Sequence, residues 1–111
     1  MQIIYHDEIS KDYKNLKRFP APKKSLEAWE RLFCLKGLSE TPGIKSYPIF
    51  GHHKIYKARI VPLQEKCGKS KGYRLIFQLL ENGDFIFLIL SRHGIYNNEK
   101  DLISLIKKRI T

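Results

Sequence analysis

The dipeptide Asn82-Gly83 constrains this chain more than any other pair of residues. Asn-Gly tolerates the positive φ values of a tight two-residue hairpin turn. It lies between two apolar stretches, residues 72–80 and 84–91. Those stretches are therefore read as adjacent antiparallel strands. The second holds the longest apolar run, residues 85–90, and belongs in the middle of a sheet. A membrane-spanning helix needs about 20 apolar residues, so no segment is read as crossing a bilayer. Residues 54–61 form another strand, closed by Pro62. Alternation puts Tyr56, Ala58 and Ile60 on one face of it, and Ile55, Lys57, Arg59 and Val61 on the other.

The first half of the chain changes period. Residues 2–5 read as a short strand. Ile9, Tyr13, Leu16 and Phe19 then recur at helical spacing, until Pro20 and Pro22 stop the helix. Ser25 is read as the N-cap of a second helix, which buries Leu26, Trp29, Leu32 and Phe33 and stops at Gly37. Residues 38–53 hold Pro42, Gly43, Pro48 and Gly51 and read as an irregular connection. A last helix starts near Asn97 or Asn98. Its apolar side is Leu102, Ile103, Leu105 and Ile106, and its end is the basic run Lys107, Lys108, Arg109. The expected architecture is one α+β domain over residues 1–111, in the order β-α-α-β-β-β-α, with a helical hairpin packed on a small antiparallel sheet.

Charge narrows the function. The chain has 21 Lys and Arg against 11 Asp and Glu, a net charge of +10. Such an excess points to a polyanionic partner: a nucleic acid, an acidic protein or a membrane surface. Between residues 45 and 74 the basic residues are Lys45, Lys54, Lys57, Arg59, Lys66, Lys69, Lys71 and Arg74, and the sole acid is Glu65. Lys57 and Arg59 are two apart on a strand and share a face, which suits phosphates. Gly68-Lys69-Ser70 mimics the end of a P-loop. That motif needs a glycine where Leu63 stands and must open a helix, so nucleotide hydrolysis is rejected. His52-His53, His6 and His93 lack ligand spacing, and no carboxylate cluster accompanies the basic block, so no metal site is expected. Cys34 and Cys67 do not form a disulfide framework, and the N-terminus has no leader pattern, which suggests a reducing, cytoplasmic setting.

The run Tyr56-Lys57-Ala58-Arg59, followed by Gly68-Lys69-Ser70-Lys71-Gly72-Tyr73-Arg74-Leu75-Ile76-Phe77, resembles the RelE/HigB branch of the RelE/ParE toxin superfamily. The resemblance implies a RelE-like fold and a ribosome-dependent mRNA endonuclease. It would be the toxin of a toxin–antitoxin pair, restrained by a cognate antitoxin protein and needing neither a small-molecule cofactor nor a membrane. The family's basic strand residues fall on Lys57 and Arg59, its Gly-Tyr-Arg arginine on Arg74, a further basic residue on Arg92 and its tyrosine on Tyr96. Lys54, Lys69 and Lys71 are expected to add RNA contacts. RNA carries its own nucleophile, the 2′-hydroxyl, so cleavage needs only a proton acceptor, charge stabilisation at phosphorus and a proton for the leaving oxygen. Lys57, Arg59, Arg74 and Arg92 suit the second task. The acid/base role stays open between Tyr96 and His93. Two other readings share these residues: a ParE-like, non-enzymatic toxin that binds a DNA topoisomerase, and a basic RNA-binding module without catalysis.

Overall fold

A computed structural model of the chain describes residues 1–63, 72–92, 94–95 and 98–111. The described elements are β1 (Ile3–Tyr5), α1 (Ile9–Asn15), α2 (Pro22–Glu40), β2 (Ile44–Ser46), β3 (Lys54–Ile60), β4 (Tyr73–Leu79), β5 (Phe85–Arg92) and α3 (Glu99–Arg109). The strands form one open sheet in the order β1-β5-β4-β3-β2. The hairpin strands β4 and β5 pair antiparallel around Asn82-Gly83, and Gly83 has φ of 90°. No described helix is long and apolar enough to cross a membrane.

Two expectations about the sheet need correction. It is mixed, not antiparallel, because β1 pairs parallel with β5. It also gains a fifth strand, β2, inside the segment read as irregular, pairing antiparallel with β3. Pro42, Gly43 and Pro48 hid this strand, because only four residues lie between Gly43 and Pro48, and the strand takes three of them.

The helical hairpin also differs in detail. Pro22 opens α2 instead of lying in the linker, as suits a residue that needs no N–H in the first turn. Ser25 is therefore inside the first turn, and its Oγ accepts a hydrogen bond from the Leu63 N–H at 3.1 Å. Gly37 breaks the helix at φ 79°, ψ −178°, after which one more turn follows.

Helices cover both faces. Leu26, Trp29 and Phe33 of α2, with Ile9 and Leu16, pack on Ala58, Ile60, Leu75, Phe77, Phe85, Phe87 and Leu90. Trp29 stacks on Phe33 with centroids 5.0 Å apart, and Phe33 meets Phe85 edge-on at 4.9 Å. On the other face Ile106 of α3 packs with Ile55, Ile76, Ile86, Leu88 and Ile89. Leu88 is an extra residue: Phe77 pairs with Phe87, and Ile76 with Ile89. This bulge reverses the inward and outward alternation of everything after it in β5.

A buried ion pair links α1 to α3. Arg109 donates to both carboxylate oxygens of Asp12, at 2.8 and 3.1 Å, and to the Leu88 carbonyl at 2.8 Å. Asp12 also accepts from the Leu90 N–H at 3.0 Å. β1 ends at Tyr5, so it cannot pair with this part of β5. The two side chains take its place along the strand edge.

Candidate nucleic-acid site

The cations gather on the α3 face, toward the end of the sheet that α3 leaves open. In the ladder of β3 and β4, Arg59 stands directly opposite Arg74, and Lys57 opposite Ile76. In the ladder of β2 and β3, Lys45 stands opposite Lys57. Two like-charge pairs thus face each other on neighbouring strand pairs. Such pairs destabilise a sheet by about 0.2–1 kcal/mol each. The ion pairs among the described residues, Lys11–Glu8 and Arg109–Asp12, involve none of these four side chains.

Lys57, Arg74 and Arg92 line one cavity of about 420 Å³, with Ile76, Ser91 and Leu102 among the other walls. Its remaining polar groups include Tyr47, Asn98 and Glu99. The Tyr47 hydroxyl donates to Glu99 Oε1 at 2.6 Å, and the Lys57 ammonium lies 4.7 Å from the centre of the Tyr47 ring. Burial, then the hydrogen bond to Glu99 and its charge, push the Tyr47 phenol far above the ordinary tyrosine range. It stays a proton donor at any physiological pH. Asn98 caps α3 by accepting from the Asp101 N–H at 3.0 Å, which fixes the first turn that carries Glu99.

Gly72 places Arg74. A Cβ there would sit 2.2 Å from the Ile60 carbonyl oxygen, so only glycine lets the two strands close at this point. Tyr73, between them, is fully buried and donates to the Pro20 carbonyl at 3.1 Å. Its neighbour Arg74 consequently points to the opposite face.

Comparison with family models, with curated proteins and with solved structures finds no match. The site therefore stands on its own residues.

Of the residues expected from the sequence, Lys57, Arg59 and Arg74 come together. Arg92 borders the same cavity as Lys57 and Arg74, but its charged end turns away from them. Its guanidinium lies 4.2 Å from the centre of the Phe19 ring and 5.0 Å from that of Tyr73, on the helical-hairpin face. The Leu88 bulge is the reason: unbroken alternation from Ile86 would have put residue 92 on the same face as Arg74. Lys54 is also elsewhere. It is opposite Leu79 at the far end of β3, beside His52, His53 and Gln78. Lys69, Lys71, His93 and Tyr96 lie outside the described residues. Sequence reasoning missed Tyr47 and Glu99. Tyr47 was hidden with β2, whose ladder continues through the Tyr47 N–H to the Ile55 carbonyl at 2.8 Å. Glu99 had a usable signal, since it follows the N-cap directly.

Proposed function

We propose that this chain is a toxin of the RelE/ParE superfamily, acting in the cytoplasm as a metal-independent, ribosome-dependent mRNA endonuclease and restrained by a cognate antitoxin. The observation that carries the reading is the pair of like-charge oppositions, Arg59 with Arg74 and Lys45 with Lys57, beside a cavity lined by Lys57 and Arg74. A fold does not keep four mutually repelling cations on one face for stability. A polyanion relieves the repulsion, and single-stranded RNA threaded along the sheet end brings one phosphate per nucleotide. In this reading Arg74 holds two oxygens of the scissile phosphate with its planar fork. Lys57, braced on the Tyr47 ring, adds a second charge as the pentacoordinate phosphorus forms. Arg59 and Lys45 hold the flanking backbone. The antitoxin is expected to be small, with an acidic or amphipathic segment that competes for these cations.

The test is to add the purified protein to translating ribosomes and map the mRNA ends. Cleavage leaving 2′,3′-cyclic phosphate or 3′-phosphate ends is the expected result. Products with 3′-hydroxyl ends would overturn the proposed chemistry. Bound but intact mRNA would identify an RNA-binding module. Intact mRNA together with topoisomerase poisoning would favour the ParE-like, non-enzymatic alternative.

A further inference from the structure

We infer that Glu99 is the general base that takes the proton from the attacking 2′-hydroxyl, and that Tyr47 is the residue that positions it. The inference rests on the nuclease reading and completes it, because the cations described above can stabilise charge but leave the proton acceptor unassigned.

The cavity beside Arg74 has one carboxylate among its lining residues, and that carboxylate is Glu99. It is exposed, so substrate can reach it. One oxygen, Oε1, accepts from Tyr47 at 2.6 Å, which leaves Oε2 for a substrate hydroxyl. The phenol that fixes Oε1 is itself held from two sides, by burial of its ring and by the Lys57 ammonium over that ring. Because burial and the carboxylate keep Tyr47 protonated, it donates to Glu99 and does not compete with it for the substrate's proton. Asn98 secures the turn from which Glu99 projects. The result is a base oriented by a hydrogen bond, in a cavity that Lys57, Arg74 and Arg92 also line. That arrangement follows the usual pattern of a proton acceptor held by a third group.

Glu99 Oε2 takes the 2′-hydroxyl proton, and the 2′-oxygen's electron pair forms a bond to phosphorus. The bond from phosphorus to the 5′-oxygen breaks, and that oxygen leaves with the bonding pair and takes a proton from the Lys57 ammonium or from water. Glu99 then loses its proton to solvent and Lys57 regains one. The products are a 2′,3′-cyclic phosphate and a 5′-hydroxyl, with no net oxidation or reduction.

Glu99→Gln separates a base from a structural acceptor, since the amide oxygen still accepts from Tyr47 but cannot take a proton. On mRNA in translating ribosomes, E99Q is expected to lower kcat by about a hundredfold, the ordinary lower bound for a general base, with KM and Tm unchanged. In Glu99→Ala, which removes an exposed side chain and leaves the fold intact, sodium formate should restore part of the activity. Tyr47→Phe keeps the ring and its contact with Lys57, and should lower kcat by about tenfold without changing KM. Wild-type cleavage with E99Q within about threefold of it, or E99A unresponsive to formate, would overturn this inference while leaving the nuclease reading intact. A wild-type protein that cuts no mRNA would overturn the nuclease reading and, with it, the role given to Glu99.

Discussion

Arg74→Ala is the perturbation in which a structural and a functional role predict opposite results. Arg74 is half-buried, directly across from Arg59, and no carboxylate of the described residues pairs with it. Its removal relieves a like-charge opposition worth about 0.2–1 kcal/mol and replaces a strand residue with a slightly poorer one. The two effects nearly cancel, so stability should stay within about 0.5 kcal/mol of wild type. At about 4–8 °C per kcal/mol, the midpoint of thermal unfolding then moves by no more than about 4 °C. Cleavage is a different matter. Losing one preorganised donor to a developing phosphorane costs about 2.7–4 kcal/mol, a hundredfold or more in kcat. Arg74→Lys keeps the charge and loses the fork, and should fall between the two. One preparation of each variant, melted and then assayed on ribosome-bound mRNA, gives both numbers. A drop of 8 °C or more with unchanged specific activity would refute the reasoning, because it would mean that Arg74 serves the fold.

Other consequences concern what holds the site in place. Asp12→Ala strands the buried Arg109 guanidinium and should cost about 3–5 kcal/mol by denaturant titration; a loss under about 1 kcal/mol would show that the Leu90 N–H and Arg109 find other partners. The double replacement Asp12→Leu with Arg109→Met should not regain wild-type stability, since the Leu88 carbonyl and Leu90 N–H lose their bonds to these side chains. Gly72→Ala forces a Cβ to 2.2 Å from the Ile60 carbonyl oxygen and should lower the melting temperature by several degrees and cleavage with it; an unchanged melting curve would mean the strand start shifts freely. Burial, then the charges of Glu27 and Glu30, raise the Tyr13 phenol to about 12, and its hydroxyl has no hydrogen-bond partner among the described residues. The neutral form is favoured in the fold, so its contribution is complete below pH 10 and lost as pH rises through about 12. Tyr13→Phe should therefore be equal to or about 1 kcal/mol more stable than wild type at pH 7 and less sensitive between pH 10 and 12, with tyrosinate absorbance reporting the ionisation.

How far the sequence could be read depends on how local the information was. The Asn82-Gly83 turn, the central apolar strand and the sharing of one face by Lys57 and Arg59 are set by neighbours within a few residues, and each was legible. So was the second helix, since Leu26, Trp29 and Phe33 repeat at its period. Register and insertion are not local. Nothing in Phe-Ile-Phe-Leu-Ile-Leu says that Leu88 has no partner, because every residue in that run is buried on one face or the other. Yet that single extra residue turns the Arg92 guanidinium toward Phe19 and Tyr73 and brings Ser91 into the cavity wall beside it. The same holds for β2. The four residues between Gly43 and Pro48 carry no strand signal by themselves, and three of them pair because β3 offers its edge. Their pairing brings Tyr47 under Lys57 and within reach of Glu99, 52 residues later. Charge and alternation thus located the half of the site that binds a phosphate. The half that would move a proton is assembled by an edge strand and a helix start, distant in sequence, and only the folded chain brings them to the same cavity.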